Sequence, residues 1–244
     1  VLTPELVVRL CDRHRGIGAD GVIALTACAS GRADWAWQFF NRDGSSGEMC
    51  GNGARCFARF VQQTTGGTRD FTFETGAGII TARLRGARVT INLTPPTDLK
   101  LEQPVSLPTG SVTVHSINTG VPHAVLFVDD ADTAPVDTLG PVLRRHPRFG
   151  PRGTNVNFVQ VLRPGHIRVR TFERGVEAET LACGTGVTAA ALIAARVHGF
   201  ASPVAVRVQS GDTLEVGFRD AGTNFAEVEL TGPAEFVFEG QIEI

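Results

Sequence analysis

Two short stretches of the 244-residue chain share a pattern suited to chemistry. Cys50-Gly51-Asn52-Gly53 runs into "ARCFARFVQQ", and Cys183-Gly184-Thr185-Gly186 runs into "VTAAALIAARV". Each sets a cysteine and Gly-x-Gly at the mouth of an apolar run with helical spacing. The first turn of a helix carries unpaired N–H groups and a partial positive charge. A cysteine placed there has its thiolate stabilised, its pKa often falling from roughly 8.5 toward neutrality. The glycines let backbone N–H groups approach an anion, so the Gly51–Asn52 and Gly184–Thr185 peptides suit a carboxylate. A thiolate and a thiol on opposite faces of one carbon remove a proton from one side and return one to the other. The stereocentre inverts. The α-hydrogen of an amino acid is a weak carbon acid, so its removal requires a positioned base and hydrogen bonds to the developing enediolate.

The elements that must hold these cysteines also occur twice, in the same order. "PELVVRLCDRH" (4–14) and "VDTLGPVLRRH" (136–146) read as amphipathic helices. Glycine-rich loops lead from them into "GVIAL" and "NVNFVQV", and then come the alternating strands "DWAWQFFN" (34–41) and "HIRVRTFE" (166–173). Cys50 and Cys183 lie 133 positions apart, and the histidines closing the two helices lie 132 apart. Behind each cysteine helix stands a hairpin, 78–93 and 204–218, with Arg-Gly-Ala and Ser-Gly-Asp at the turns. The pattern predicts an α/β (α+β) fold of two pseudo-symmetric lobes. Each lobe is a bent, mostly antiparallel sheet wrapped around a central helix, with the active site in the cleft between them. The Pro-rich stretch 94–108, which holds the sole lysine, Lys100, reads as an exposed linker. It sets the expected lobes at 1–110 plus 231–244 and at 111–230.

Composition narrows the chemistry. The chain is 42% hydrophobic with a net charge of -2 and no basic stretch, which argues against nucleic acid as a partner. Its longest apolar run is too short to cross a bilayer, and no export signal opens it. Five cysteines without a C-x-x-C pair make neither a disulfide framework nor a zinc site, so no metal and a reducing cytoplasm are expected. Cys11, Cys28 and Cys56 read as small buried hydrophobes. Pyridoxal phosphate needs a lysine buried beside it, and Lys100 is a poor candidate; no cofactor is expected.

In these contexts the residues resemble the diaminopimelate epimerases. The resemblance rests on "DRHRGIGADGV", "FFNRDGSSGEMCGNGARCFARFV", "NTGVPHAVLFVDD", "RGTNVNFV" and "FERGVEAETLACGTG", spread over nearly the whole chain. It implies a cofactor-independent isomerase, interconverting LL- and meso-2,6-diaminopimelate in lysine and peptidoglycan precursor biosynthesis. It further implies a cytoplasmic homodimer. Cys50 and Cys183 would be the acid/base pair. Asn41, Asn155, Glu173 and Arg174 would hold the substrate's carboxylates and amino groups, and the amides of Gly51, Asn52, Gly184 and Thr185 the reacting carboxylate. His123 and Glu173 would tune the thiols. From the residues themselves, Asn41 and Glu173 also fit strand-end capping, Asn155 a turn, Arg174 a surface charge and His123 a structural role.

The chain departs from the family at Val121, where many members have a substrate-binding asparagine, and by one extra residue between Glu173 and Cys183. A family strand carrying G-x-G-N-D-F is expected upstream of Val1, and without it the first lobe's sheet has an unfilled edge. Two other readings are a cofactor-independent racemase of another amino acid, of histidine or proline type, and a dithiol redox sensor formed by Cys50 and Cys183.

Overall fold

Thr3 opens the first helix: its hydroxyl accepts the Leu6 N–H at 3.3 Å, and Pro4 occupies a position where no backbone donor is needed. This computed structural model describes residues 2–67, 70–108 and 110–243; Val1 lies outside them. The chain divides into two compact units, Val1–Ile91 with Pro233–Ile244, and Asn92–Gly232.

The first unit contains α1 (Pro4–Cys11), β1 (Gly21–Thr26), β2 (Trp35–Asn41), α2 (Gly51–Thr65), β3 (Asp70–Thr75), β4 (Gly78–Arg85) and β5 (Arg88–Asn92). The strands follow one another in the sheet in chain order. All neighbours are antiparallel except β2 and β3, which run parallel because α2 carries the chain back between them. α2 buries Ala54, Phe57, Ala58 and Val61. Phe57 packs edge-on to Trp37 of β2 at 5.8 Å and against Phe73 of β3 at 4.7 Å, making an aromatic core.

The second unit contains β6 (Thr97–Leu107), β7 (Gly110–Asn118), β8 (Pro122–Phe127), α3 (Val136–Arg144), β9 (Asn155–Arg163), β10 (His166–Glu173), β11 (Ala178–Thr180), α4 (Gly184–His198), β12 (Val204–Arg207), β13 (Thr213–Asp220) and β14 (Phe225–Pro233). Its sheet runs β14-β13-β12-β10-β9-β8-β7-β6, with β11 paired to β10. The parallel neighbours are β8/β9, joined through α3, and β10/β12, joined through α4. Ten consecutive residues of α4, 186–195, are buried, and the helix touches β7, β8, β9, β10, β12 and β13. A second core lies under α3, where Val136 and Leu143 meet Val156, Phe158 and Phe172.

The repeat expected from the sequence is present element by element. α1-β1-β2-α2-β3-β4-β5 corresponds to α3-β9-β10-α4-β12-β13-β14, and both parallel pairs fall at the same step. Both cysteine helices end at a left-handed glycine, Gly66 (φ 75) and Gly199 (φ 69), a conformation that disfavours other residues.

The expected linker is instead a strand. β6 pairs with β7 along its length and belongs to the second unit, so the units divide at 91/92 and 232/233 and not at 110/111 and 230/231. Two register shifts interrupt β6, with Asp98 and Glu102 at positive φ, and Pro104 sits opposite Thr113. Proline and bulges are tolerated on a strand at the end of a sheet, and they hide its period. Lys100 is exposed there as expected. Of the three cysteines assigned to the core, only Cys11 is buried. Cys56 is exposed on α2, and the Cys28 thiol donates to Glu74 at 3.2 Å.

Candidate active site

In the first unit, β2 delivers the chain through a tight turn to α2. Asn41 ends the strand, where its Nδ2 donates to Ser45 Oγ at 3.0 Å, so this side chain takes part in the turn. Cys50 is the N-cap of α2, in extended conformation, and its Sγ accepts the Gly53 N–H at 3.4 Å. The first backbone bond of the helix is Ala54 N–H to Cys50 O at 2.8 Å, so the preceding amides point out of the helix start. Arg55, almost fully buried, braces this turn by donating to the Gly51 carbonyl at 3.1 Å and to Asn52 Oδ1 at 3.0 Å. Sequence reasoning missed Arg55, whose burial shows only when Pro233, another of its acceptors, is placed beside it.

The second unit repeats the arrangement with different surroundings. Cys183 is the N-cap of α4, and Val187 N–H closes the first turn onto Cys183 O at 2.8 Å. Its Sγ makes no backbone cap and lies 3.5 Å from Thr185 Oγ1. Thr185 is held from behind by Thr119, whose hydroxyl donates to its carbonyl at 2.9 Å. Glu173 ends β10 and receives the Thr180 hydroxyl at 2.9 Å from β11. Burial pushes the Glu173 carboxyl up, and donation from Thr180 and from the Cys183 thiol offsets part of that. Glu173 and Cys183 are therefore brought together.

Arg174 follows at the turn. Its backbone N–H donates to Asn155 Oδ1 at 2.8 Å, while its guanidinium has no acceptor among the described residues. Burial, then the charges of Arg144 and Arg152, hold its pKa below the usual value. A partly buried cation near other cations suits an anion. Asn155 is buried, with Nδ2 on the Pro122 carbonyl at 3.1 Å, so its amide ties β8, β9 and the Arg174 turn together. His123, on β8 in register with Asn155, is 1% exposed. Burial first, and Arg174 second, depress its pKa to about 3, which leaves a neutral imidazole. Thr119, Thr180 and Asn157 also contribute without having been singled out in the sequence. For Asn157 the signal was a second polar residue inside the apolar strand "NVNFV".

Glycines at the third helical position let each helix start close down. A Cβ at Gly53 would come within 2.8 Å of Ile23 Cδ1, and one at Gly186 within 2.5 Å of Asn157 Oδ1. Among the described residues no three His, Cys, Asp or Glu side chains cluster for a metal, and no helix is long and apolar enough to cross a membrane.

Comparison with known proteins adds independent weight. The family model described as diaminopimelate epimerase matches residues 1–97 and 115–237. The diaminopimelate epimerase of Aquifex aeolicus (strain VF5) is 43% identical over 242 residues, covering 98% of this chain and 85% of that protein. That of Hydrogenobaculum sp. (strain Y04AAS1) is 41% identical over 242 residues, covering 98% and 86%. Among solved structures, a phenazine biosynthesis protein of Bacillus anthracis superposes with a TM-score of 0.74 at 17% identity, covering 100% of this chain and 90% of that one. A hydroxyproline epimerase from Agrobacterium vitis gives 0.70 at 18% identity, covering 93% and 77%. These two likenesses show the fold alone. The match of the family model and the identity to full-length relatives show that the chain belongs to the diaminopimelate epimerase family.

Proposed function

We propose that this protein is an isomerase that interconverts LL- and meso-2,6-diaminopimelate by two-base proton transfer at the α-carbon. The observation that carries the two-base part is the pair of N-cap cysteines, at the same step of two corresponding β–α–β units. In one direction a thiolate takes the α-proton, and the electron pair of the C–H bond passes into the carboxylate as an enediolate. The other thiol then gives its proton to the opposite face, and the roles reverse for the other stereoisomer. In support, the Gly53 N–H donates to the Cys50 sulfur, and the Glu173 carboxyl accepts a hydrogen bond from the Cys183 thiol. The outward amides of Gly51, Asn52, Gly184 and Thr185 receive the reacting carboxylate, because helix N-termini favour negative charge. Arg174 takes a carboxylate. Asn41, Asn155 and Glu173 orient the remaining polar groups, and His123 tunes a thiol together with Glu173.

The same reading places the protein in a reducing cytoplasm, as a homodimer, supplying lysine and cell-wall precursors without a cofactor. Its test is a substrate panel in D₂O. Deuterium should enter the α-position of diaminopimelate with loss of stereochemical purity. Exchange into another amino acid, and none into diaminopimelate, would replace the substrate and leave the two-base chemistry. Stoichiometric thiol oxidation with no exchange into any amino acid would favour the redox reading.

A further inference from the structure

The first half of strand β9, residues 155–159, has two buried faces. Val156 and Phe158 join the core under α3, so Asn155 and Asn157 project to the other side, where α4 packs. Asn157 is 0% exposed, and its partners fix which way its amide points. Nδ2 donates to the Ala124 carbonyl at 2.9 Å, a group that only accepts, and Oδ1 receives the Thr171 hydroxyl at 3.0 Å. The same Nδ2 lies 3.2 Å from His123 Nδ1, and its remaining hydrogen is the one available there. His123 Nδ1 must then be the acceptor, so the imidazole proton sits on Nε2. That atom is buried and has no partner among the described residues. The first turn of α4 closes onto this amide, because Gly186 leaves no room between them.

We propose that Asn157 is a positioning residue that fixes His123 as the Nε2–H tautomer, so that His123 enters the reaction as a hydrogen-bond donor to an anion and not as a base. The proposal rests on the placement of His123 in the site described above. Arg174, the charged group acting on the ring, opposes an imidazolium. A buried donor without a partner is costly in the resting protein, and an arriving carboxylate or thiolate removes that cost.

The experiment reads the tautomer directly. In ¹⁵N-histidine-labelled parent protein, long-range ¹H–¹⁵N spectra should show a non-titrating ring with its proton on Nε2, lost in His123→Gln. His115 also accepts at Nδ1, from the Glu102 N–H at 3.2 Å, and its signal is identified by loss in His115→Gln. A His123 ring protonated on Nδ1, or on both nitrogens near neutral pH, overturns the proposal without any Asn157 variant. Asn157→Asp replaces a donor with an acceptor. It should move the proton to Nδ1 and lower kcat for α-proton exchange by about 10- to 100-fold while KM stays within about twofold. An unchanged tautomer, or a moved proton with unchanged kcat, counts against it. Should the parent hold the Nε2–H tautomer yet leave diaminopimelate untouched, the functional reading fails and Asn157's hold on the ring stands.

Discussion

The two cysteine helices start alike and are housed differently. At α2 the sulfur takes a backbone N–H of its own first turn, an arginine braces that turn, and the helix buries one aromatic-lined face. Cys56 and Phe60 on its other side face solvent, Phe60 being 44% exposed. At α4 the sulfur leaves the backbone for Thr185 and Glu173, and residues 186–195 of the helix, mostly alanine and aliphatic, are buried all round. What both keep is the Cys-Gly-x-Gly turn and the parallel strand pair that aims it. On the proposed two-base reading the local turn is the part the chemistry requires, and the surrounding core is free to differ.

The largest expected effect tests that shared part. Cys50→Ala and Cys183→Ala should each lower epimerisation by at least about 10²- to 10⁴-fold, because in the proposed mechanism each removes one acid/base group. In D₂O each variant should release the α-hydrogen of only one stereoisomer, and the two should prefer opposite ones. Near-parent epimerisation in either variant would end the equivalence of the two helix starts. Next comes the housing. Leu192→Ala, in the enclosed α4, should cost about 2–5 kcal/mol in urea unfolding. Phe60→Ala on α2 should cost less than about 1 kcal/mol. Similar losses would mean that the exposed face of α2 is covered in solution.

The paired glycines give a finer contrast. Gly186→Ala drives a methyl onto Asn157, which is pinned by hydrogen bonds to Ala124 and Thr171, and should cost about 1–3 kcal/mol. Gly53→Ala clashes with the flexible far end of Ile23 and otherwise makes ordinary contact with Cys50, and it should stay within about 1 kcal/mol. The smallest effect belongs to Glu173. Its carboxyl is raised in the folded state, so its contribution to stability is full below the unfolded value and declines as pH rises through the folded one. Glu173→Gln should therefore melt slightly higher than the parent at neutral pH, and the gap should close on acidification. A gap that widens in acid would mean that the carboxylate is the form the fold favours.

Much of this fold was legible because it occurs twice. A single C-G-x-G is weak, but its recurrence after matching strands located both helix starts and both hairpins. β6 was not legible, since Pro95, Pro96 and Pro104 with two bulges erase the alternation that marks a strand. The states of Cys28 and Cys56 were also hidden. Cysteine type suggests burial, whereas Cys28 sits beside the Glu74 carboxylate and Cys56 on the outer side of α2. At the site, the strand-end positions of Asn41 and Glu173 followed from pattern. The part played by Asn157 did not, because it depends on Ala124, Thr171 and Gly186, which only the folded sheet gathers around it.

The enclosure of α4 has a consequence for how the chain is made. Strands β7 to β10 leave the ribosome before this helix, and β12 and β13 leave after it. A nascent α4 that docks on the strands already present turns its remaining apolar side to solvent until some twenty further residues are synthesised. That surface has no polar face to shield it, unlike the outer side of α2, and unshielded apolar surface on a growing chain is what chaperones capture and what aggregates when they do not.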